Sequence, residues 1–240
     1  MSASKPALSK DTVLCLSLAR RPGNHGTRFH NALYAEFGLD FVYLARTTDD
    51  LPAAIAGLRA LGVRGCSVSM PFKEDAIGLV DELDPSAAAI DSINTIVNDG
   101  GRLRAYNTDY LAVVSLLTAA RLAPDTTVAV LGSGGMAKAV VAAVRDAGLA
   151  DGVVVARNRE TGSTLAERYG WRHVTDVGAL PAPPHLLVNA TPVGMAGGPA
   201  ADELPVPTSV VDAARLVFDV VASPARTPLI RRAAEQGIET

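Results

Sequence analysis

Val128-Ala129-Val130-Leu131-Gly132-Ser133-Gly134-Gly135-Met136-Ala137 runs from an apolar, β-branched stretch into the pattern G-x-G-G-x-A. A short apolar run bounded by glycine reads as a buried strand. Met136–Ala147, with apolar residues at three- and four-residue spacing, reads as a helix. The order strand, glycine turn, helix suits a pyrophosphate. Gly132 permits the tight turn, Gly134 lets backbone approach the anion, and the small Ala137 lets helix and strand pack closely. A helix N-terminus adds unpaired N–H groups and a favourable dipole. Gly132, Ser133, Gly134, Gly135, Met136 and Ala137 are therefore the candidate cofactor-binding turn. A lone glycine triplet is also compatible with an ordinary strand–helix turn; a second strand in register, Val153–Val155, favours the dinucleotide.

The residues just after that second strand select the dinucleotide. An NAD site places Asp or Glu about 20 residues beyond the glycines, to hold the ribose 2′-hydroxyl. Here the chain reads Ala156-Arg157-Asn158-Arg159, with no acid before Glu160. A carboxylate repels a 2′-phosphate, whereas a guanidinium pairs with it bidentately. Two solvated surface arginines are the plainer alternative. The placement of Arg157 favours NADP.

Outward from this motif, strands alternate with helices. Val13–Leu18, Phe41–Leu44, Cys66–Ser69, Thr95–Val97, Val128–Leu131, Val153–Val155, Leu186–Asn189 and Val217–Val221 read as strands. Gly26–Glu36, Leu51–Leu61, Thr108–Ala120 and Met136–Ala147 read as helices. Gly100-Gly101 closes a hairpin from Thr95–Val97 into Leu103–Tyr106. The alternation implies an α/β protein whose sheet is largely parallel, with helices on both sides. The pattern restarts after the hairpin, which divides the chain into residues 1–109, a substrate-binding and catalytic lobe, and residues 110–240, a Rossmann-type lobe for NADP.

Of the 240 residues, 48% are hydrophobic and 20% charged, a globular balance. A net charge of −3, from 22 basic and 25 acidic residues, argues against nucleic-acid binding. No apolar run approaches the ~18 residues of a membrane span, and Met1–Pro6 lacks the apolar core of a signal peptide. Two cysteines, Cys15 and Cys66, fit a reducing cytoplasm. The expected partner is a small-molecule hydroxy acid, and the expected assembly a monomer or homodimer. His25, His30, His173 and His185 have no metal-ligand spacing, so no metal is expected, and His30 reads as a packing or capping residue.

The first lobe carries Ser67-Val68-Ser69-Met70-Pro71-Phe72-Lys73, Ser92-Ile93-Asn94-Thr95 and Tyr106-Asn107-Thr108-Asp109. Each puts polar groups at a strand end or a helix start, where open α/β sheets bind ligands. Carbonyl–alcohol interconversion with a nicotinamide needs a group that moves the hydroxyl proton, and a Lys oriented by an Asp can do so. Lys73 and Asp109 are the candidates. From spacing alone they are equally a solvated helix start and a first-turn acid favoured by the helix dipole.

Together, V-S-M-P-F-K, S-I-N-T, Y-N-T-D, G-S-G-G-M-A, N-A-T-P-V-G-M and T-P-L-I resemble the shikimate dehydrogenase family, closest to its shikimate 5-dehydrogenase-like subgroup. The likeness runs from about Leu16 to Ile230, in the family's motif order. It implies a two-domain α/β enzyme of aromatic amino acid biosynthesis that oxidises shikimate to 3-dehydroshikimate with NADP. In that likeness Lys73 and Asp109 are the catalytic pair, Asn94 and Ser69 bind substrate, and Arg157 takes the 2′-phosphate. Asn189, Thr191, Gly194 and Met195 match a segment on the nicotinamide side.

The departures fall in the substrate pocket. Asn24 and Gly26 stand where the family presents two serine hydroxyls, with Asn24 retained as a candidate substrate ligand. Arg20, Arg21 and Arg28 are nearby substitutes for a carboxylate anchor. Ala222 stands where the family presents a tyrosine. The sequence ends at Thr240, whereas relatives continue with a helix carrying a substrate-contacting glutamine, so the return helix is expected to be absent. Two functions fit: an NADP-dependent dehydrogenase for shikimate or a related cyclic hydroxy acid, quinate included, or an NADP-binding sensor of low catalytic activity.

Overall fold

The computed structural model describes residues 6–240, so the reading of the N-terminus as lacking a signal peptide falls largely outside the described residues. The chain divides into two compact units, the first ending at Thr108 and the second running from Asp109 to Thr240.

The first unit contains β1 (Val13–Leu18), α1 (His25–Glu36), β2 (Phe41–Arg46), α2 (Leu51–Ala60), β3 (Gly65–Val68), β4 (Glu82–Leu83), α3 (Pro85–Ala88), β5 (Thr95–Asp99) and β6 (Arg102–Tyr106). Its sheet has the order β2-β1-β3-β5-β6-β4. β1 lies parallel to β2 and β3, whereas β5 is antiparallel to both β3 and β6. The sheet is therefore mixed. A parallel return needs a crossover of a dozen or more residues, and the Gly100-Gly101 turn leaves no room for one. Both glycines have positive φ, +58° and +94°, and the Asn98 carboxamide oxygen accepts the Gly101 N–H at 2.8 Å. Ile55, Leu58, Val68, Ile93, Ile96 and Leu103 form the centre of this core.

The free edge of β2 is covered by α1. Asn31 Nδ2 donates to the Tyr43 carbonyl at 2.8 Å, and the Tyr43 N–H donates to Asn31 Oδ1 at 3.1 Å. A carboxamide thereby substitutes for a neighbouring strand at one residue of the edge. His30 stacks on Tyr43 with ring centroids 4.3 Å apart, so this histidine packs. Burial lowers its pKa.

The second unit contains α4 (Thr108–Ala120, beginning one residue before the division), β7 (Val128–Leu131), α5 (Gly135–Asp146), β8 (Gly152–Val155), α6 (Arg159–Arg168), β9 (Arg172–Val174), β10 (Leu186–Asn189), α7 (Thr208–Asp212), β11 (Leu216–Asp219) and α8 (Pro228–Glu235). The order β11-β10-β7-β8-β9 is parallel throughout. All four residues of β7 and of β10 are buried. Their side chains alternate between two cores. Val128, Val130, Leu186 and Val188 meet residues of α4, α5 and α6 on one face. Ala129, Leu131 and Leu187 meet Val211 of α7 and Leu229 and Ala233 of α8 on the other. Helices on both faces explain why these strands read as unbroken apolar runs.

The last strand stops short of the expected Val221. The Val221 N–H turns away from the sheet to the Asp219 carboxylate, at 3.0 Å. Among the described residues, no helix is long and apolar enough to cross a membrane.

At the outer part of the sheet, Trp171 lies flat over Gly152. A Cβ built on Gly152 would come 2.1 Å from the indole. Overpacking of this kind costs about 1–3 kcal/mol or more. Gly152→Ala is expected to lower stability by about 3 kcal/mol, read from chemical denaturation with Trp171 fluorescence as the probe. An unchanged midpoint would contradict the packing described.

Candidate active site

The turn after β7 is built around Gly132, whose φ is +107° and whose added Cβ would lie 3.0 Å from the Ala190 carbonyl oxygen. Its N–H donates to the Val155 carbonyl at 2.8 Å. Ser133 Oγ is hydrogen-bonded to Thr161 Oγ1 at 2.7 Å, which joins the turn to the first turn of α6. Gly134 is the N-cap of α5, in extended conformation and with no side-chain capping bond. A Cβ on Gly134 or Gly135 would meet nothing within 4 Å. The space a side chain would occupy is open, and the first turn of α5 carries no acid. Met136 is half-buried and Ala137 fully buried beneath it.

Arg157 is exposed at the end of β8, one residue before Asn158, the N-cap of α6. The Asn158 side chain is engaged with the Thr161 N–H at 3.2 Å. Neither Arg157 nor Arg159 has a partner among the described residues. On the other side of the glycine turn, Asn189 ends β10 fully buried. Its Oδ1 accepts the Thr191 hydroxyl at 2.6 Å and the Thr191 N–H at 3.1 Å. Gly194 has φ +88°, and Met195 beside it is 43% exposed.

In the first unit, the Ser69 N–H donates to the Leu18 carbonyl at 2.9 Å, and the exposed Ser69 opens the turn that leads to Lys73. Lys73 is half-buried, and its carbonyl accepts the Ile93 N–H at 3.0 Å. That bond ties the lysine turn to the segment bearing Asn94. Asn94 Oδ1 accepts from the Thr108 N–H at 2.9 Å, the Thr108 hydroxyl at 3.1 Å and the Thr95 hydroxyl at 3.0 Å. Its Nδ2 has no partner among the described residues, so it remains available to an outside acceptor. Asp109 follows Thr108 in the chain and opens the second unit.

Next to the Asn94 segment lies a buried polar group whose role the motifs do not indicate. Buried Asn107 donates from its N–H to Ser86 Oγ at 3.1 Å and from Nδ2 to the Ser92 carbonyl at 2.9 Å. The N-T-D segment is held from below by it.

Asn24 is exposed at the N-cap of α1, and its side chain makes no capping bond. A Cβ on Gly26 would meet the Tyr43 ring at an ordinary 3.5 Å. Arg20 leans toward Asp49 at 3.4 Å, both well exposed. His173 Nε2 engages the Ala156 carbonyl at 2.9 Å, and His185 Nδ1 accepts the Thr127 N–H at 3.3 Å. Among the described residues, no group of three or more His, Cys, Asp or Glu could hold a metal ion.

A parallel sheet in this strand order, with a glycine turn leaving its central strand, defines a Rossmann-type α/β protein. Residues 26–96 match the family model described as the shikimate dehydrogenase substrate binding domain. A shikimate dehydrogenase-like protein of Haemophilus influenzae is 51% identical over 233 residues, covering 97% of this chain and 85% of that protein. The shikimate dehydrogenase (NADP(+)) of Archaeoglobus fulgidus is 40% identical over 236 residues, covering 94% and 85%. The crystal structure of shikimate 5-dehydrogenase from Thermus thermophilus, in complex with NADP(H) and shikimate, superposes with a TM-score of 0.80 at 29% identity, covering 95% of this chain and 85% of that one. The chain belongs to the shikimate dehydrogenase family.

Losing the Asn94 acceptor strands the Thr108 N–H and hydroxyl at the start of α4 and the Thr95 hydroxyl at the start of β5. Asn94→Ala is expected to destabilise by about 1–2 kcal/mol. Asn94→Asp, which keeps the oxygen, should lose less than half as much. Paired urea titrations of the two variants check this, and equal losses would remove Asn94 from its anchoring place.

Proposed function

We propose that this chain is an NADP-dependent oxidoreductase that interconverts shikimate, or a related cyclic hydroxy acid, with its 3-dehydro ketone. The observation that carries the reading is the open cradle at Gly134 and Gly135, where the uncapped start of α5 faces space a side chain would fill. A pyrophosphate is the group that such a turn accommodates. Unpartnered Arg157, with no carboxylate beside it at the end of β8, suits a 2′-phosphate and so NADP rather than NAD. Gly132, Ser133, Gly134, Gly135, Met136 and Ala137 would hold the phosphates, with Asn189, Thr191 and Met195 on the far side of the turn. When bound, the nicotinamide supplies or accepts the hydride.

The chain's own residues supply positioning and proton movement. Lys73 holds the proton at the reacting oxygen, and Asp109 orients its ammonium. Asn94, its oxygen fully engaged, offers only Nδ2–H to the substrate, so it acts as a donor of fixed direction. Ser69 and Asn24 complete the polar lining. The relatives named for NADP-dependent shikimate dehydrogenation support this reading, as does the solved complex with both ligands.

The substitutions at Asn24, Gly26 and Ala222 favour a second reading, an NADP-binding sensor of low turnover. Retention of both Lys73 and Asp109 favours the enzyme, because a sensor needs no proton-transfer pair. The test is purified protein with NADP and a panel of shikimate, quinate and simpler hydroxy acids, followed by NADPH absorbance. Turnover of one of them supports the enzyme; NADP binding without turnover of any supports the sensor.

Two substitutions separate the roles. Lys73→Ala should lower kcat by about 10²-fold or more and leave NADP affinity unchanged. Near-normal turnover would remove Lys73 from proton transfer. Arg157→Ala should weaken NADP binding by about 10- to 150-fold and spare NAD, measured by titration with each. Equal loss for both would show general damage instead.

A further inference from the structure

Asp219 ends β11 with both carboxylate oxygens engaged. Oδ1 accepts from Asn189 Nδ2 at 3.0 Å and from the Val221 N–H at 3.0 Å. Oδ2 accepts the Thr227 hydroxyl at 2.7 Å. All three partners donate, and Thr227 in turn accepts the Ile230 N–H at 3.2 Å as the N-cap of α8. Burial pushes the Asp219 carboxyl above the usual range, while these three bonds pull it back.

The partners of Asp219 reach the loop 190–200 from two directions. From one side, Asn189 bonds Thr191 through Oδ1 and the Val193 carbonyl through Nδ2, the latter at 3.1 Å. From the other, Gly194 packs on Thr227 and Pro228, since its added Cβ would lie 3.3 Å from each. The Ala196 N–H donates to the Ser223 carbonyl at 2.8 Å. The same loop touches the glycine turn where Ala190 meets Gly132. A dinucleotide crosses the crevice where strand order reverses, here between β7 and β10. With the 2′-phosphate end on the β8 side at Arg157, the other half lies over β10, at loop 190–200.

We propose that Asp219 is a positioning residue that fixes loop 190–200 against the glycine turn, so that the half of NADP remote from the 2′-phosphate meets a preformed wall. The proposal rests on the NADP reading above. Without the carboxylate the loop must be ordered at binding, and that ordering is subtracted from affinity.

The test uses Asp219→Asn and Thr227→Val, with Thr227→Ser as the conservative control. Asp219→Asn sets a donor against donors, and Thr227→Val removes the hydroxyl at nearly constant shape. Calorimetry with NADP and with adenosine 2′,5′-bisphosphate separates the two halves of the site. Expected is a loss of about tenfold for NADP with the bisphosphate within about twofold, in both variants. Thr227→Ser should restore NADP affinity. Hydrogen exchange without ligand should quicken at the Ala196 amide and stay unchanged at the glycine turn. Equal losses for both ligands, or unchanged affinities with unchanged exchange, would overturn the proposal. If the unmodified protein bound neither ligand, the NADP reading would fall together with the cofactor half of the proposal; exchange at Ala196 would then decide the anchoring by itself.

Discussion

A side chain at Gly132 would put its Cβ 3.0 Å from the Ala190 carbonyl, so the turns after β7 and β10 approach each other only because that position is glycine. The approach follows from the burial of both strands on both faces. Alternate residues of β7 and β10 feed two separate cores, one against α4, α5 and α6 and the other against α7 and α8. Strands locked in this way cannot slide, because a shift of one residue would exchange the two cores. The end of β7 at the phosphate-type turn and the end of β10 at Asn189 are therefore held at a fixed separation by packing, and the course of the loop beyond Asn189 is left to polar contacts.

Polar contacts then set the details, and they do so through carboxamides whose oxygen is committed. Asn94 uses its oxygen for Thr95 and Thr108 and leaves its nitrogen outward. Asn31 uses both ends on the β2 edge. Asn189 uses its oxygen on Thr191 and its nitrogen on Val193 and Asp219. An amide whose oxygen is fully engaged is fixed as a donor toward whatever lies beyond it, which gives direction without charge.

The α/β architecture was legible because its strands are short apolar runs with strong end signals. Val13–Leu18, Val128–Leu131 and Leu186–Asn189 coincide with β1, β7 and β10. β4 and β9 have no sequence signal for a physical reason: two- and three-residue strands such as Glu82–Leu83 and Arg172–Val174 carry too little periodicity to register. The mixed character of the first sheet was visible only at Gly100-Gly101, where a tight turn forces an antiparallel return. In the candidate site, glycines and motif residues stand out in the sequence. The Asp219–Asn189 pair does not, since its members are 30 residues apart and meet only once β10 and β11 are side by side. The same is true of Asn107 with Ser86 and Ser92: Ser92 and Asn107 stand in motif segments, but nothing in the sequence joins them to each other or to Ser86.

The helix starts show where stability has been given up. α2, α3, α6 and α8 are each capped by a side chain, from Asp50, Asp84, Asn158 and Thr227. The first backbone N–H of α4 is taken by Asn94. α5 begins at a bare glycine, and α1 begins at Asn24, a good capping residue whose side chain is not used as a cap. A missing side-chain cap costs up to about 1 kcal/mol of helix stability, and only roughly a few tenths where the N-cap is glycine; in α5 the extensive burial of its residues offsets it. α1 has no such reserve, since none of its residues is fully buried and it holds to the sheet through Asn31 and the His30–Tyr43 stack. The unengaged Asn24 amide is thus retained on a helix that would gain from using it. Under the proposed function that amide faces the substrate carboxylate with one donor group in place of the family's two hydroxyls. The substrate preferred here then has to draw part of its affinity from groups other than the carboxylate.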